Sequence, residues 1–114
     1  MKFEEETFGD VQILHLQGKI MGGPETQVLR HRLEELVAFD TRFLVIDFQN
    51  VKWINSTGIG AIIHCLSILR SRGGDIRFAN LHGETLLYIQ VMNLGKIIRT
   101  FNSIDEAVAS FSKD

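Results

Sequence analysis

Five stretches of the chain carry the apolar patterns of β-strands. Phe3–Thr7 and Val11–Gln17 flank the turn-forming pair Gly9-Asp10, which is typical of a hairpin. Phe43–Phe48 is almost continuously apolar, as in a central strand covered on both faces, and Gln49-Asn50 predicts its end. The remaining predicted strands are Ile76–Ala79 and Ile97–Phe101.

Apolar residues at helical spacing fill the intervals between the later strands. A first helix is predicted after Gly22-Gly23, with Pro24 in its first turn and an apolar stripe at Val28, Leu29, Leu33, Leu36 and Val37. A second begins after Asn55-Ser56-Thr57-Gly58 and ends at Arg72-Gly73-Gly74, with its stripe at Ile59, Ile62, Ile63, Leu66 and Leu69. Two further helices are predicted at Glu84–Met92 and at Ile104–Phe111, the latter opened by Asn102 or Ser103.

The resulting element order is β-β-α-β-α-β-α-β-α. Strands that alternate with helices predict an α/β domain in which a mixed β-sheet packs against helices. The 114 residues have the size of one ordinary domain, and no linker or internal repeat divides them. We therefore expect a single domain over residues 1–114.

Charge and hydropathy exclude several classes of function. A formal net charge of -2 provides no basic stripe with which to bind nucleic acid. Apolar runs such as Gly60–Ile63 are far shorter than the ~20 residues of a membrane span. Residues Met1–Glu6 are acidic where a secretory signal would be basic and then apolar. We expect a cytoplasmic protein that binds neither nucleic acid nor membrane.

Candidate catalytic and metal-binding residues are few. Cys65 is the only cysteine, so one chain can form no disulfide and no cysteine cluster, and its apolar helix predicts a buried thiol. His15 has no companions at metal-ligand spacing. His64 follows Ser56 by eight residues, which on a helix is on the order of 10 Å and too far for it to act as a base.

Known catalytic motifs are likewise incomplete. A serine hydrolase elbow around Ser56 would need glycine where Ile54 stands. Gly58-Ile59-Gly60 begins like a dinucleotide fingerprint, but Ile63 occupies the place of the third glycine, and no phosphate-binding loop with a lysine occurs. We expect neither an enzyme nor a protein with a cofactor or a metal.

The turn Asn55-Ser56-Thr57-Gly58 is the one constellation with a chemical implication. It lies between a buried strand and an apolar helix, where unpaired backbone N–H groups and the positive end of the helix dipole accommodate an anion. A phosphate added to a hydroxyl there would change the surface charge by about -1.5 to -2. The residue types alone favour the plainer interpretation, in which Ser56 is an ordinary N-cap that accepts a backbone hydrogen bond and Asn55 and Thr57 help the turn.

Several segments together resemble one family over essentially the whole chain. They are Leu16-Gln17-Gly18-Lys19-Ile20, Val45-Ile46-Asp47-Phe48, Asn55-Ser56-Thr57-Gly58-Ile59-Gly60, Gly73-Gly74-Asp75-Ile76, Asn93-Leu94-Gly95-Lys96-Ile97-Ile98 and Ile104-Asp105-Glu106-Ala107. In these segments the chain is similar to STAS domains of the bacterial anti-sigma-factor antagonist family, which usually have Asp-Ser-Ser/Thr-Gly-Leu-Gly at the central turn.

The resemblance implies a partner-switching role. In that family the unphosphorylated antagonist binds an anti-sigma factor that is also its ATP-dependent serine kinase, phosphorylation releases it, and a phosphatase resets the cycle. By the same resemblance Ser56 is the phosphate acceptor and Thr57 the second choice. The partner surface is expected at Asn55–Ile59, with Ile59 exposed, and in the preceding loop at Met21, Gly22, Gly23 and Glu25.

Two residues depart from the family pattern. Asn55 replaces the usual aspartate before the serine, and Met21 replaces an acidic residue after the second strand, although Glu25 could supply a displaced charge. Carboxylates at these places could orient the hydroxyl or contact the kinase. A STAS-like scaffold that is not phosphorylated is therefore the main alternative, and a small-ligand binder is a third.

Overall fold

The computed structural model describes residues 3–112, so the ends of the domain predicted over residues 1–114 lie outside the described residues. Its strands are β1 (Glu4–Phe8), β2 (Val11–Ile20), β3 (Phe43–Ile54), β4 (Asp75–Ala79) and β5 (Thr100–Phe101). Its helices are α1 (Gly23–Ala38), α2 (Ser56–Ser71), α3 (Gly83–Val91) and α4 (Ile104–Phe111). The predicted α/β class and element order are confirmed.

The five strands form one sheet in the order β1-β2-β3-β4-β5. β1 pairs with β2 antiparallel, and all the other neighbours pair parallel, so the sheet is mixed as predicted. The parallel register of β2 and β3 ends with Ile20 opposite Ile54, the last residue of each strand. The loops that follow these two strands therefore leave the sheet at the same edge.

β3 is the central strand and is buried on both faces. Leu44, Ile46 and Phe48 belong to the main core beneath α1 and α2, whereas Val45 packs with Ala107 of α4 in a smaller cluster. The prediction that Gln49-Asn50 end this strand is wrong. The strand continues to Ile54 because β2 pairs with it along this extension, so two exposed polar residues do not interrupt it.

α1 and α2 pack side by side on the main core. Each follows one parallel strand and precedes the next, so the two helices run in the same direction and begin at the same edge of the sheet. Of the predicted α1 stripe, Leu29, Leu33 and Leu36 are buried. Val28 is exposed, because it lies to one side of the face that meets the sheet.

The predicted strand Ile97–Phe101 is wrong in its first half. Asn93 adopts a left-handed conformation, a 3-10 turn follows at Leu94–Lys96, and the strand comprises only Thr100–Phe101. The amides of Ile97 and Ile98 both donate to the Leu94 carbonyl at 2.9 Å. This turn buries Ile98 and leaves Ile97 exposed.

Candidate functional site

The turn between β3 and α2 is closed by Asn55. Its Oδ1 atom accepts the backbone N–H of Thr57 at 3.1 Å and that of Gly58 at 3.3 Å. The backbone N–H of Asn55 donates to the Ile20 carbonyl at 2.9 Å. This bond connects the start of α2 to the end of β2. Asn55 is therefore the N-cap of α2, and a short amide side chain is well suited to that position.

The interpretation of Ser56 as the N-cap is consequently wrong. Ser56 is the first residue of α2 and is exposed. Within residues 3–112 no hydrogen bond involves its hydroxyl. Asn55 therefore caps α2, and the hydroxyl of the exposed residue Ser56 takes no part in the cap.

The residues that follow Ser56 divide between the surface and the core. Thr57 and Gly60 are exposed, whereas Gly58 is buried against the ends of β2 and β3. A Cβ atom at Gly58 would lie 2.8 Å from Ile54 Cγ1 and 3.0 Å from Ile20 Cγ2. Glycine at this position is what allows the first turn of α2 to contact the two strand ends directly.

The expectation that Ile59 is exposed on a partner surface is wrong. Its side chain is 5% exposed and belongs to the main core. The helical repeat explains this, because Ile59 lies on the same face of α2 as Ile62 and Leu66, which both pack onto the sheet. The accessible surface at this end of α2 consists of Ser56, Thr57 and Gly60.

The loop between β2 and α1 lies beside the turn. A Cβ atom at Gly22 would be 3.9 Å from Asn55 Nδ2, so the loop backbone lies next to the cap. Met21 is exposed, Gly22 is partly exposed, and Gly23 and Glu25 are exposed, Glu25 in the first turn of α1. The structure therefore places Met21, Gly22 and Asn55 at one edge of the sheet.

A groove of about 570 Å³ runs between α1 and α2 and begins at Ser56 and Thr57. We call it the α1–α2 groove. Its walls are apolar at Leu33, Val37, Ala61, Cys65 and Ile68, and its other lining residues are Arg30, Glu34, Gly60 and His64. Sequence reasoning missed this groove, because spacing within each helix does not reveal how two helices pack.

The titratable residues of the groove differ in character. Burial raises the pKa of the Cys65 thiol to about 11, so the thiol is neutral near pH 7 and the predicted buried cysteine is confirmed. His64 lies eight residues beyond Ser56 on the same helix, an axial distance of about 12 Å.

No acidic residue occurs in the first turn of α2, so no carboxylate there offsets the positive end of the helix dipole.

Residues 3–112 contain no group of three or more His, Cys, Asp or Glu side chains able to hold a metal ion. None of the helices described in this range has the length and apolar character needed to span a bilayer.

Known protein structures share this fold. A candidate anti-sigma factor antagonist from Thermotoga maritima matches with a TM-score of 0.87 and 19% identity over 95% of this chain and 92% of its own. The Bacillus cell fate determinant SpoIIAA in its phosphorylated form matches with a TM-score of 0.74 and 15% identity over 96% and 99%. A sulfate transporter family protein from Wolinella succinogenes matches with a TM-score of 0.74 and 16% identity over 92% and 87%. At these identities the matches show the fold alone.

Sequence comparison adds the family. No curated protein sequence matches this chain. The family model of the STAS domain matches residues 2–107, which is most of the chain and includes every candidate residue of the turn, the preceding loop and the groove. The chain therefore belongs to the STAS domain family.

Proposed function

We propose that this STAS domain is an anti-sigma-factor antagonist regulated by phosphorylation of Ser56. In its unphosphorylated form it binds an anti-sigma factor that is also a serine kinase, and that partner binds the ATP. Phosphate on Ser56 releases the partner, and a phosphatase restores the binding form. The chain acts in the cytoplasm as a substrate and binding module, with no catalytic activity, cofactor or metal of its own.

One observation carries this proposal: the Ser56 hydroxyl is exposed and has no hydrogen bond within the described residues, because Asn55 caps the helix. Because Asn55 makes both capping hydrogen bonds, a kinase that engages the Ser56 hydroxyl does not disturb the cap. Here the acceptor can enter a kinase active site while the turn stays intact. Thr57, also exposed, is the second-choice acceptor.

The partner surface that fits this proposal surrounds Ser56 on two sides. Thr57 and Gly60 extend it along α2, and Met21 with its neighbouring glycines forms the adjacent loop. A partner that covers this surface would bury the Ser56 position. Leaving a doubly charged phosphate in such a contact without cationic partners costs several kcal/mol, and ~4 kcal/mol corresponds to about a thousandfold in affinity.

The neutral amide of Asn55 does not by itself argue against phosphorylation. It performs the capping that an aspartate would perform, so the backbone of the turn is retained. What an amide cannot supply is a carboxylate to orient the hydroxyl or to meet the kinase. Phosphorylation that depends on contacts supplied by the kinase itself is compatible with Asn55 and Met21.

A second function is favoured by the same two departures. A STAS scaffold that is never phosphorylated would have no need of an acidic residue at position 55 or 21, and the fold also occurs in a sulfate transporter family protein. A kinase gene beside this one would favour the switch, and a transporter or sensor gene would favour the scaffold.

The decisive experiment measures intact mass after incubation with a candidate anti-sigma factor and ATP. We expect the wild-type protein and Ser67→Ala to gain one phosphate, and Ser56→Ala to gain none. Ser67 is a matched control because it is an exposed serine on the same helix. A phosphate that persists in Ser56→Ala and is lost in Thr57→Val would move the site to Thr57. Firm partner binding with no added phosphate would establish the scaffold instead.

A further inference from the structure

A wide cleft of about 910 Å³ lies where β2 and β3 end and α3 begins. We call it the Trp53 cleft, because Trp53 of β3 lines it. Met21, the exposed first residue after β2, lines the same cleft and directly precedes Gly22, whose backbone lies next to Asn55. The cleft is therefore continuous with the surface around Ser56 that the proposed partner covers.

Trp53 gives this cleft an apolar surface that also carries a hydrogen-bond donor. The side chain is partly exposed, and its ring meets the ring of Tyr88 edge-on, with centroids 5.4 Å apart. Its indole N–H donates to no group within residues 3–112. Tryptophan is enriched among the residues that dominate protein interfaces, because it combines a large apolar area with one donor. Trp53 is therefore suited to cover an apolar side chain of a partner.

Two lysines of the cleft form an uncompensated pair of positive charges. Lys19 of β2 and Lys52 of β3 both line it. The register places Lys19 opposite Trp53, the residue after Lys52, so the two lysines are neighbours on adjacent paired strands. Neither forms a salt bridge to a carboxylate in the described part of the chain. Like charges on neighbouring strands repel each other, so an anion that approaches both lysines is favoured.

The other titratable side chains of the cleft do not cancel this charge. Glu84 is the one carboxylate among the described residues that line it. It lies in the first turn of α3, where the positive end of the helix dipole offsets it. The Nε2 atom of His82 lies 2.9 Å from the Gln49 carbonyl oxygen, so this nitrogen carries a proton and donates. The charge of the cleft therefore favours an acidic occupant over a basic one.

We propose that the Trp53 cleft binds an acidic segment of the partner protein, with a carboxylate at Lys19 and Lys52 and an apolar side chain against Trp53. That this partner is the anti-sigma factor rests on the proposed function. The partner surface then has two parts, the turn at Ser56 and the Trp53 cleft, and Met21 joins them.

The cleft can be tested without the partner, because Trp53 is the only tryptophan of the chain and its fluorescence reports on this site. The probes are a short acidic peptide, in which two leucines are flanked by glutamates, and a counterpart with lysine in place of each glutamate. We expect the acidic peptide to change the emission saturably and to bind about tenfold or more tightly than the basic one. Added salt should weaken its binding, because salt screens exposed charges. No saturable change, or an equal change with both peptides, would overturn the proposal.

Charge reversal identifies the residues responsible. Lys19→Glu and Lys52→Glu should each weaken the binding of the acidic peptide by about tenfold, since each places a like charge beside it. Lys96→Glu is the matched control, because it changes the net charge by the same amount at an exposed lysine that does not line the cleft. An equal loss in Lys96→Glu would show that only net charge matters and would contradict the site.

A candidate anti-sigma factor separates the cleft from the proposed function. If it binds the wild-type protein and Lys96→Glu alike but Lys52→Glu about tenfold more weakly, the partner uses the cleft. If it binds all three alike, the proposal for the cleft fails and the switch stands. If no anti-sigma factor binds, the proposed function fails, and the peptide titration alone decides the cleft. Self-association in sedimentation that Lys52→Glu abolishes would instead assign the cleft to a second copy of the chain and overturn the proposal.

Discussion

Asn55 and Gly58 are joined by a 3.3 Å hydrogen bond from the Gly58 amide to the Asn55 side chain, and this bond forms part of the cap of α2. Asn55→Ala removes it together with the bond from Thr57, so the free energy of unfolding should fall by about 1 kcal/mol. Asn55→Asp should match or exceed the wild type, since a carboxylate caps equally well and favours the helix dipole. Urea unfolding measures both. An alanine variant as stable as the wild type would show that the cap does not stabilise α2.

Gly58 and Gly60 should respond to alanine in opposite ways. At Gly58 the new methyl group would collide with Ile54 and Ile20, and we expect a loss of about 1–3 kcal/mol in the free energy of unfolding. Gly60→Ala is the control in the same helix. Its methyl group meets open space, and alanine favours a helix over glycine by up to ~1 kcal/mol, so stability should be unchanged or higher. Similar losses in both variants would contradict the close contact of α2 with the strand ends.

Much of the fold follows from local patterns. The apolar run at Phe43–Phe48 predicted the buried central strand, and Ser103 was one of two predicted openings of α4 and is its N-cap. The end of β3 and the start of β5 could not be predicted in this way. β3 continues through two exposed polar residues because β2 pairs with it there. A turn at Leu94 replaces the first half of the predicted last strand. Both differences are effects of tertiary packing.

The geometry of the turn differs in two respects from what the sequence predicts. The sequence singled out the four residues of the turn, but both Asn55 and Ser56 are good N-caps, and only the backbone geometry decides which of them caps α2. Ile59 was expected on an exposed partner surface at the helix end, but its helical phase places it with Ile62 in the core. The groove depends on how α1 packs against α2, which no single segment encodes.

His15 links stability to pH through two carboxylates. Its Nδ1 atom is 2.7 Å from Asp47 Oδ2, and its Nε2 atom is 2.7 Å from Glu6 Oε2, so both ring nitrogens donate when the imidazole is charged. Burial lowers the pKa of His15 and is the largest single effect. The hydrogen bonds to Asp47 and Glu6 outweigh it, and the pKa lies above the ordinary value of 6.5.

Because the pKa of His15 is raised in the folded protein, protonation of His15 stabilises the fold. The folded state binds the proton more tightly, so this stabilisation is complete below about pH 6.5 and is lost as the pH rises through the pKa of the folded state. We expect the difference in unfolding free energy between the wild-type protein and His15→Gln to shrink from about pH 5.5 to about pH 9, a range that begins below the ordinary histidine pKa and extends above it. His31→Gln, which removes an exposed histidine on α1, should show no such trend. Parallel pH profiles for the wild type and His15→Gln would refute the linkage.

Cys65 can report whether the α1–α2 groove opens independently of unfolding. The thiol is 3% exposed and its pKa is raised to about 11, so at pH 8 roughly one molecule in a thousand carries a thiolate, and reaction with a disulfide reagent should be slow. If exposure requires global unfolding, the rate follows the unfolded population, and each 1.4 kcal/mol lost should accelerate labelling about tenfold. Cys65 in Gly58→Ala should then be labelled faster than in the wild type, by the factor that its loss of unfolding free energy implies. Cys65 in Gly60→Ala should be labelled no faster than in the wild type. Fast labelling in a variant of unchanged stability would mean that α1 and α2 separate locally, and the groove would then be a mobile surface instead of a fixed one.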